Sequence, residues 1–420
     1  MEIEEIRNYC LNCPTKPCEV KGCPIHNKIP EFIHEENEEK AFYILSETTV
    51  LPAICSRVCQ VSKQCKGVCV RGIRGESVEI NKMEMHLADN ALKNNYKFKK
   101  KKNPILKEQK KVCIIGGGPS GLTAAAFLAM DNAKVTIIDK NEKLGGLLEY
   151  GIPDFRLDRS IIEKTIQKIL ELGVDFKLNT EVGRDISIEE ILKEYDAVYI
   201  SAGANEPIYT LSGENVLSGN KLLEELNKEK IEKGTEKSFI EKFKGKKIGV
   251  SGGGNVAMDV SRTLARMGAE VSIIYRRGLD EMPAEKEEIE MAKKENVEFL
   301  FQNNILKFDS ENKEAELIKT NLVKKEGDTR LSPVNIEGSN YKKHLDYLVL
   351  ATGAQPNDSF IKKLSVEQTE RGYIKINENY QTSKDKIFAG GDIAGTRKTV
   401  VNAAYDGREA AQNILQYLLK

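Results

Sequence analysis

The feature that most constrains the fold of this chain is a strand, a glycine-rich turn and a helix in immediate succession. Residues 112–115 are an apolar run rich in β-branched side chains, the sequence GGGPSG follows, and residues 122–130 have the composition of a helix. A second apolar run, residues 135–138, ends in Asp139, 23 residues after Gly116. This order predicts a parallel βαβ unit that binds a dinucleotide at the N-terminus of its helix.

Each glycine of this turn has a separate physical role. Gly116 permits the tight turn, Gly118 lets backbone amides approach a pyrophosphate, and Gly121 allows the helix to pack closely on the strand. A turn without a ligand is the alternative for the motif alone, but the strand, the helix and the acid together favour a dinucleotide. The residues expected at this cofactor are Gly116, Gly118, Pro119, Ser120, Gly121, Asp139 and Lys140.

A second copy of the pattern begins 136 residues later. It places Tyr275 where the first copy has its acid, and two arginines follow. Because guanidinium groups bind a 2′-phosphate that a carboxylate would repel, this copy favours NADPH, with NADH possible. A solvated strand end is the alternative for the two arginines. The residues expected at this second cofactor are Gly252, Gly254, Asn255, Val256, Ala257, Arg276 and Arg277.

Length and charge set the frame around the two copies. At 420 residues the chain is expected to form two or three domains. Its 64 basic and 64 acidic residues cancel, so we expect no nucleic-acid partner and no membrane partner. Residues 1–9 lack the apolar segment of a signal peptide, and the uncharged run 112–130 contains the glycine turn rather than a membrane span. A cytoplasmic protein is predicted.

Cysteine usage is uneven along the chain. Eight of the nine cysteines lie between Cys10 and Cys69, and the ninth, Cys113, falls in the first strand, where an inert core thiol is expected. The two groups are spaced C-x2-C-x4-C-x4-C-P and C-x3-C-x5-C-x3-C. In a reducing compartment such spacing indicates metal more than disulfides. Structural zinc is the alternative, but the Cys-Pro ending and the short mixed spacings favour iron–sulfur clusters.

The region around the cysteines predicts a small helical domain. Residues 29–45 and 80–92 have helical patterns, but the apolar core of residues 1–95 is too thin to stand alone. Residues 97–111 contain eight lysines and predict a solvated linker into the first dinucleotide unit.

Other segments indicate how the remaining chain is organised. Residues 144–153 are too glycine-rich for a helix and too apolar for a plain surface loop, so we expect them to lie along the first cofactor. Residues 197–204 predict a buried strand with a glycine turn, and this pattern recurs at residues 349–354. The second dinucleotide unit is therefore predicted to be an insertion into the first, which resumes near Leu348.

The chain closes with a strand that runs into two glycines and Asp392, followed by a long helix over residues 399–419. Asp392 can accept a hydrogen bond from a cofactor hydroxyl, and the helix N-terminus can stabilise negative charge on a flavin as it is reduced. An ordinary strand-to-helix turn is the alternative. The further positions expected at the cofactors are Gly146, Leu147, Gly203, Gly353, Gly391, Asp392, Thr399 and Val400.

Together these motifs resemble a known family, that of the small subunit of bacterial glutamate synthase. Relatives in this family include the N-terminal half of dihydropyrimidine dehydrogenase and the large subunit of NADH-dependent ferredoxin:NADP oxidoreductase. The resemblance spans nearly the whole chain and rests on the cysteine block, GGGPSGL, LGGLLEYGIPDFRL, GGGNVAMD with YRR and EMPA behind it, and FAGGD followed by TVVNAA.

The resemblance implies an α/β fold with two Rossmann-like domains, of the disulfide-reductase-like flavoprotein type, preceded by a small α-helical iron–sulfur domain. The implied limits are 1–104 for the cluster domain, 105–244 with 346–420 for the FAD domain, and 245–345 for the NADP(H) domain. The implied cofactors are FAD, NADPH and two [4Fe-4S] clusters. The implied partner is a large catalytic subunit or a second flavoprotein, which receives electrons from NAD(P)H through FAD and the clusters.

The resemblance also implies the cluster ligands. One cluster would be held by Cys10, Cys13, Cys18 and Cys69, and the other by Cys23, Cys59, Cys65 and Glu84. Cys55 competes with Glu84 for the last position. The alternative for Glu84 is a surface glutamate that holds no cluster. This chain departs from the family in having four residues rather than three between Cys18 and Cys23, and Gln60 where relatives often have proline.

Several functional alternatives stay open at this point. No catalytic side chain is expected, because nicotinamide can deliver hydride directly to a flavin. Thioredoxin reductases share both dinucleotide units, but the Cys-x-x-Cys that they carry before the second turn is absent here. The chain can be an electron-input subunit of glutamate synthase type, the large subunit of an electron-bifurcating ferredoxin:NADP oxidoreductase, a stand-alone NADPH diaphorase, or a zinc-bearing interaction protein. The sequence does not identify the terminal acceptor.

Overall fold

The computed structural model describes residues 1–324 and 331–420. The chain forms two compact units. Unit one comprises Met1–Glu149, Asp154–Ala204 and Pro356–Lys420, and unit two comprises Tyr150–Pro153 and Asn205–Gln355. Within the described ranges, no helix is both long and apolar enough to cross a membrane.

The α-helices in chain order are α1 (Ile3–Tyr9), α2 (Ile29–His34), α3 (Glu38–Ser46), α4 (Pro52–Val58), α5 (Ile80–Lys93), α6 (Pro119–Met130), α7 (Leu147–Tyr150), α8 (Arg159–Leu170), α9 (Ile188–Glu194), α10 (Gly219–Lys233), α11 (Lys237–Phe243), α12 (Asn255–Arg266), α13 (Lys286–Lys294), α14 (Asp358–Leu364) and α15 (Val400–Tyr417). Cys18–Gly22 forms a π-helical turn, and Val61–Lys63, Val70–Ile73 and Gly391–Ala394 form 3₁₀ turns.

The strands in chain order are β1 (Lys111–Ile115), β2 (Lys134–Ile138), β3 (Asp175–Lys177), β4 (Ala197–Ile200), β5 (Glu206–Pro207), β6 (Val216–Ser218), β7 (Lys247–Ser251), β8 (Glu270–Tyr275), β9 (Glu298–Phe301), β10 (Asn303–Asp309), β11 (Glu314–Val323), β12 (Ser332–Asn335), β13 (Tyr341–His344), β14 (Tyr347–Leu350), β15 (Ala354–Gln355) and β16 (Ile387–Ala389).

Unit one contains a parallel sheet in the strand order β16-β4-β1-β2-β3. The chain forms it because β1, β2 and β4 are apolar runs that are buried almost throughout, as strands of a sheet covered on both faces must be. Helix α6 is buried from Ser120 to Met130, which explains its uniformly apolar sequence. The first βαβ unit therefore forms as predicted, with the glycine turn at the carboxyl end of β1.

The cysteine-bearing part of unit one corrects one predicted helix and confirms another. The helix expected over residues 29–45 is two helices, α2 and α3. The backbone leaves helical geometry at Glu35, and the side chain of Asn37 then accepts a hydrogen bond from the Lys40 N–H at 2.9 Å. This N-cap satisfies an amide that a continuous helix would use internally, so a new helix starts there. Helix α5 confirms the helix expected over residues 80–92.

The lysine-rich segment 97–111 is mostly exposed, as predicted for a solvated linker, but it is anchored to unit one at a few positions. Phe98 and Leu106 are buried, and Lys101 pairs at 2.5 Å with the buried carboxylate of Asp131. The apolar residues between the lysines anchor the segment, which the charge pattern alone did not reveal.

Unit two contains a second parallel sheet, in the order β6-β14-β7-β8-β9. Strand β14 pairs with β7 on one side and β6 on the other, so the chain does not return to the first sheet near Leu348 as expected. An apolar strand fits either sheet, and only long-range pairing decides between them. The chain joins unit one again at Pro356. The division into three cofactor domains stays a prediction.

Candidate cofactor sites

The first glycine turn has no room for side chains at two of its glycines. Gly116 has a φ of +102°, and a Cβ there would lie 2.6 Å from the carbonyl oxygen of Ser201. A Cβ at Gly121 would lie 2.0 Å from the Gly116 carbonyl oxygen. Gly118 is the N-cap of α6 and Pro119 is its first residue. The turn therefore presents bare backbone amides at a helix N-terminus, the arrangement that binds an anion.

Asp139 follows β2 and lies beneath the turn. One carboxylate oxygen accepts the Gly117 N–H at 2.7 Å, and the other accepts the Asn141 N–H at 2.8 Å. Burial raises the pKa of this carboxyl group above its usual range. The second of these oxygens also accepts the Asn141 side-chain amide at 3.1 Å, whereas the oxygen that accepts the Gly117 N–H keeps a second lone pair and can also accept a ribose hydroxyl. The neighbouring Lys140 is exposed.

The loop after Asp139 folds back over the turn. The Gly145 N–H donates to the Gly117 carbonyl oxygen at 2.8 Å. Gly146 has a φ of +55°, and a Cβ there would lie 3.0 Å from the Gly118 Cα. Leu147 is exposed and begins the single helical turn α7, so the prediction of a segment without helix is wrong for the four residues of that turn.

The second part of the first site comes from the end of β16. Gly391 lies against Ser120, where a Cβ would come within 3.0 Å of the Ser120 Cβ. Among the described residues, the buried Oδ1 of Asp392 has no hydrogen-bond partner. Burial, with a smaller contribution from Asp406, raises the pKa of Asp392 to about 6. A buried acceptor without a partner is costly, so this oxygen fits a ligand hydroxyl.

Helix α15 begins beside this turn. The Thr399 hydroxyl caps it by accepting the Asn402 N–H at 3.3 Å, and Val400 is its first helical residue. Gly407 packs against α6, where a Cβ would lie 2.2 Å from the Ser120 carbonyl oxygen. As at the start of any α-helix, the first N–H groups of α15 have no carbonyl acceptor within the helix. They favour a negatively charged ligand atom.

Sequence reasoning missed the polar side chains that support this site. The buried Tyr199 hydroxyl lies 2.7 Å from the Ser120 Oγ, and the Ser201 hydroxyl donates to the Gly116 carbonyl at 2.8 Å. The carboxylate of Asp406 accepts the Gly391 N–H at 2.8 Å. Gly203, with a φ of +75°, follows β4, the strand that contains Tyr199, and has open space around it. An acid and an arginine flanking a glycine on the buried face of α15 were the available signal for Asp406.

The second glycine turn, in unit two, repeats this backbone geometry. Gly252 has a φ of +139°, and a Cβ there would lie 2.6 Å from the Ala351 carbonyl oxygen. Gly254 is the N-cap of α12, and Asn255 begins the helix with a buried Oδ1 that has no partner among the described residues. Ala257, in the position of Gly121, is fully buried with its methyl group accommodated.

Two further predicted positions also lie in unit two. Gly353 follows β14 as Gly203 follows β4, and a Cβ at either glycine would meet nothing within 4 Å. Val256 packs against the start of α10, where a Cβ at Gly219 would lie 3.2 Å from the valine Cγ1. The side chain of Val256 therefore contacts neighbouring protein, while its backbone lies in the first turn of α12.

Tyr275 takes the place of the acid in the second copy. Its ring lies under Gly253, where a Cβ would come within 2.7 Å of the ring. Its hydroxyl donates to the Glu281 carbonyl oxygen at 2.9 Å, and the Ala284 N–H donates to the Gly253 carbonyl oxygen at 3.2 Å. The loop with the sequence EMPA therefore covers the second turn as residues 145–147 cover the first.

The two arginines after Tyr275 differ in their surroundings. Arg276 is exposed. Arg277 is partly buried, and its Nε donates to the Leu331 carbonyl oxygen at 3.0 Å. Both guanidinium groups have further N–H donors, which is what recognition of a phosphate requires.

Four of the predicted cluster ligands line one small cavity. These ligands are Cys10, Cys13, Cys18 and Cys69. Apolar side chains that include Ile29, Ile33 and Val70 also line the cavity. Burial raises the pKa of Cys18 to about 11. Burial also raises the pKa of Cys10, while the nearby Arg71 guanidinium opposes that shift. An apolar cavity with four sulfurs and one cation beside it fits an iron–sulfur cluster.

The other predicted ligands form a second group. Burial raises the pKa of Cys23 to about 12 and also raises that of Cys65, and the nearby Glu84 carboxylate adds to both shifts. The pKa of Cys59 is raised first by its hydrogen bond to Cys55 and then by burial. Burial raises the pKa of Glu84 to about 8. The structure brings both candidates for the eighth ligand, Cys55 and Glu84, to this group.

No group of three or more His, Cys, Asp or Glu side chains in residues 1–324 and 331–420 converges on a site for a single metal ion. A [4Fe-4S] cluster has a separate iron for each protein ligand, so its ligands need not converge on one point. The donor set of sulfurs and one carboxylate fits such a cluster.

Two parallel-sheet units with a glycine turn each, and a helical region with two cysteine groups, define an NAD(P)H-dependent flavoprotein oxidoreductase with an iron–sulfur domain. The family model described as pyridine nucleotide-disulphide oxidoreductase matches residues 64–192 and 110–407. The family model described as dihydropyrimidine dehydrogenase domain II, 4Fe-4S cluster, matches residues 2–96.

Two relatives identify the family more closely. The small chain of NADPH glutamate synthase from Halomonas elongata is 34% identical over 424 residues, which covers 97% of this chain and 89% of the relative. The same subunit from Escherichia coli is 33% identical over 428 residues, with 97% and 90% covered. The chain belongs to the family of the glutamate synthase small chain.

A solved structure supports the fold of the two dinucleotide units. Mycobacterium tuberculosis FprA in complex with NADPH superposes with a TM-score of 0.63 at 18% identity, over 74% of this chain and 85% of FprA. The predicted α/β fold of the disulfide-reductase-like type, with an iron–sulfur domain before it, is therefore confirmed.

Proposed function

We propose that this chain is the electron-input subunit of a larger enzyme, most similar to glutamate synthase. It oxidises NADPH and passes the electrons through FAD and two [4Fe-4S] clusters to a large catalytic subunit. The observation that carries the proposal is the gathering of the cysteines into two groups. A flavoprotein that served only diffusible acceptors would not need two one-electron carriers, whereas a partner subunit does. We place the reaction in the cytoplasm, whose reducing conditions preserve thiolate ligands.

Bound FAD would accept hydride and release single electrons. The chain supplies its binding and orientation. The turn from Gly116 to Gly118 and the start of α6 would hold the pyrophosphate, and Asp139 would accept the ribose hydroxyl. Asp392 would supply the acceptor for a ribityl hydroxyl, and the N-terminus of α15 at Thr399 would stabilise negative charge on the flavin.

Unit two would bind the nicotinamide coenzyme. The turn at Gly252 and Gly254 offers its amides to the pyrophosphate, and Arg276 and Arg277 would bind the 2′-phosphate of NADPH. The loss of the acid at Tyr275 removes the hydrogen-bond acceptor that NADH would use. NADH would be the weaker substrate.

The two cysteine groups would hold the clusters. Cys10, Cys13, Cys18 and Cys69 are assigned to one, and Cys23, Cys59, Cys65 and Glu84 to the other. The proposed functional domains are 1–104 for the clusters, 105–244 with 351–420 for FAD, and 245–350 for NADP(H). The last boundary differs from the one expected from the sequence because β14 pairs with β7 in unit two.

The first experiment is composition. Protein purified without oxygen should contain FAD and about eight irons, the content of two [4Fe-4S] clusters. Zinc without flavin absorbance would instead indicate an interaction protein. Co-purification then separates the remaining candidates: a large glutamate synthase-like chain supports the proposal, a second flavoprotein supports an electron-bifurcating ferredoxin:NADP oxidoreductase, and no partner supports a diaphorase.

The second experiment separates the clusters from the flavin. Glu84→Ala should alter one cluster, and Cys59→Ser should alter it more severely because a hydroxyl is a poor ligand for iron. Reduction of a dye that takes electrons directly from flavin should survive in both variants, while reduction of the partner should fall sharply. Cys55→Ser is the matched control. An unaltered two-cluster electron paramagnetic resonance spectrum in Glu84→Ala, with a lost cluster in Cys55→Ser, would transfer the ligand role to Cys55.

A further inference from the structure

Arg408 on α15 is a buried arginine with every side of its guanidinium group engaged. Its side chain is 10% exposed. One terminal nitrogen donates to the carbonyl oxygens of Ile25 at 2.8 Å and Thr48 at 3.2 Å. The Nε and the other terminal nitrogen donate to one Glu409 carboxylate oxygen at 3.0 and 2.8 Å. A buried charge persists only when it is paired and hydrogen-bonded, and this one is.

The two carbonyl groups that Arg408 holds belong to segments that support the second cysteine group. Cys23 lies two residues before Ile25, and its sulfur is hydrogen-bonded by the backbone of Asn27. The Thr48 hydroxyl donates to the Asn27 side chain at 2.7 Å, and the Asn27 amide donates to Glu84 at 3.4 Å. Thr48 therefore connects Arg408 to Asn27, and Asn27 contacts two proposed ligands, Cys23 and Glu84.

The residue before Arg408 fixes the same helix to the first glycine turn. Gly407 has no space for a Cβ, because that atom would lie 2.2 Å from the Ser120 carbonyl oxygen. Next to it, the guanidinium of Arg408 lies 5.4 Å from the ring centre of Tyr405, which meets the His26 ring edge-on at 6.3 Å. Two consecutive residues thus join α15 to the FAD turn and to the cysteine segment.

We propose that Arg408 is a positioning residue for electron transfer: it sets the distance and orientation of the cluster held by Cys23 relative to the flavin. The inference depends on the proposed FAD and cluster sites. In the step concerned, the reduced flavin would give up one electron and that cluster would accept it. Arginine is suited to the task because its planar fork donates in several fixed directions at once, which a lysine ammonium does not.

The test uses the intact holoprotein with Arg408→Met, which keeps the apolar stem and removes the donors. Arg184→Met, at an exposed arginine of unit one, is the matched control. We expect unchanged FAD content and dye reduction, and faster hydrogen–deuterium exchange at residues 23–28 and 46–50. In freeze-quench electron paramagnetic resonance after mixing with NADPH, cluster reduction should slow by about tenfold or more, as ångström-scale misplacement of reacting groups produces. The control should change neither measurement.

Arg408→Lys provides the second variant in case the methionine variant loses its cofactors. A lysine can keep one of the two carbonyl contacts, so exchange and cluster reduction should both lie between those of the native protein and Arg408→Met. Native exchange and native cluster reduction in both variants would overturn the inference. If the native protein itself holds no FAD or no clusters, the proposed function fails instead. Hydrogen–deuterium exchange at residues 23–28 then still shows whether Arg408 holds the Ile25 and Thr48 carbonyl groups.

Discussion

The two glycine turns have the same backbone plan and different chemistry at the end of the second strand. In unit one that strand leads to Asp139, whose carboxylate accepts the Gly117 N–H at 2.7 Å. In unit two it ends in Tyr275, whose ring fills the space under Gly253, and two arginines follow. Under the proposed function, the shared backbone plan would bind the pyrophosphate that all dinucleotides contain, and the end of the second strand would select between a ribose hydroxyl and a ribose phosphate.

The packing of the two helices also differs. Gly121 brings α6 so close to β1 that a Cβ would lie 2.0 Å from the Gly116 carbonyl oxygen, whereas the equivalent Ala257 carries its methyl group. The first turn thus tolerates less change than the second, and exchanging the chemistry of matched positions measures how far the likeness extends.

The largest effect is expected from Gly121→Ala, because its new methyl group would meet backbone that cannot move away. We predict a loss of stability of about 3 kcal/mol or more, and protein without bound FAD. Ala257→Gly is the matched change in unit two and should cost about 1 kcal/mol, the ordinary cost of glycine in a helix. Flavin absorbance and thermal unfolding measure both. Equal losses in the two variants would show that the turns are packed alike.

The next effect concerns coenzyme choice. Replacing both Arg276 and Arg277 with alanine should remove a charge-assisted phosphate contact worth roughly 1.5 to 3 kcal/mol, which is about 10- to 150-fold in the NADPH to NADH ratio of kcat/KM. The exposed Lys293→Ala in the same unit controls for loss of positive charge. A native enzyme that prefers NADH, with both KM values unchanged in the double variant, would make the assignment wrong.

A smaller effect is expected from Asp139→Asn. An asparagine can accept from Gly117 with its one oxygen, but its NH₂ group then faces the Asn141 N–H donor, at a cost of about 1 to 3 kcal/mol. FAD affinity and unfolding temperature should both fall. Tyr275→Phe is the counterpart in unit two and loses only the hydrogen bond to Glu281, worth about 1 kcal/mol. If Asp139→Asn left the affinity for FAD unchanged, Asp139 would not contact FAD.

The smallest effect is a pH dependence confined to the first unit. Burial raises the pKa of Asp392 to about 6. In protein without FAD, this carboxyl group is therefore mostly protonated below that pH. The ionised carboxylate is the stronger acceptor, so the Kd for FAD should rise by about tenfold as the pH falls from 7.5 to 5. Titrations with FAD across this range measure it. Asp392→Asn should flatten the profile, and a native profile that is already flat would exclude Asp392 as the acceptor.

The sequence alone determined the local features of this protein. Both strand-turn-helix units, helix α5 and the composition of the cysteine region were predictable, because strand, turn and helix signals lie within a few consecutive residues. Asn37, which divides the helix expected over residues 29–45, was also a local signal, and the helical pattern around it concealed it.

Only the tertiary structure decided which distant segments meet. Tyr199 contacts Ser120 from 79 residues away, and Arg408 contacts Ile25 from 383 residues away. Strand β14 is as apolar as a strand of the first sheet, yet it pairs with β7 in unit two. Side-chain periodicity specifies which face of an element is buried, whereas the partner of that face is selected by packing and hydrogen bonding across the folded chain. Residues that act through such contacts, Arg408 above all, therefore have no local sequence signature.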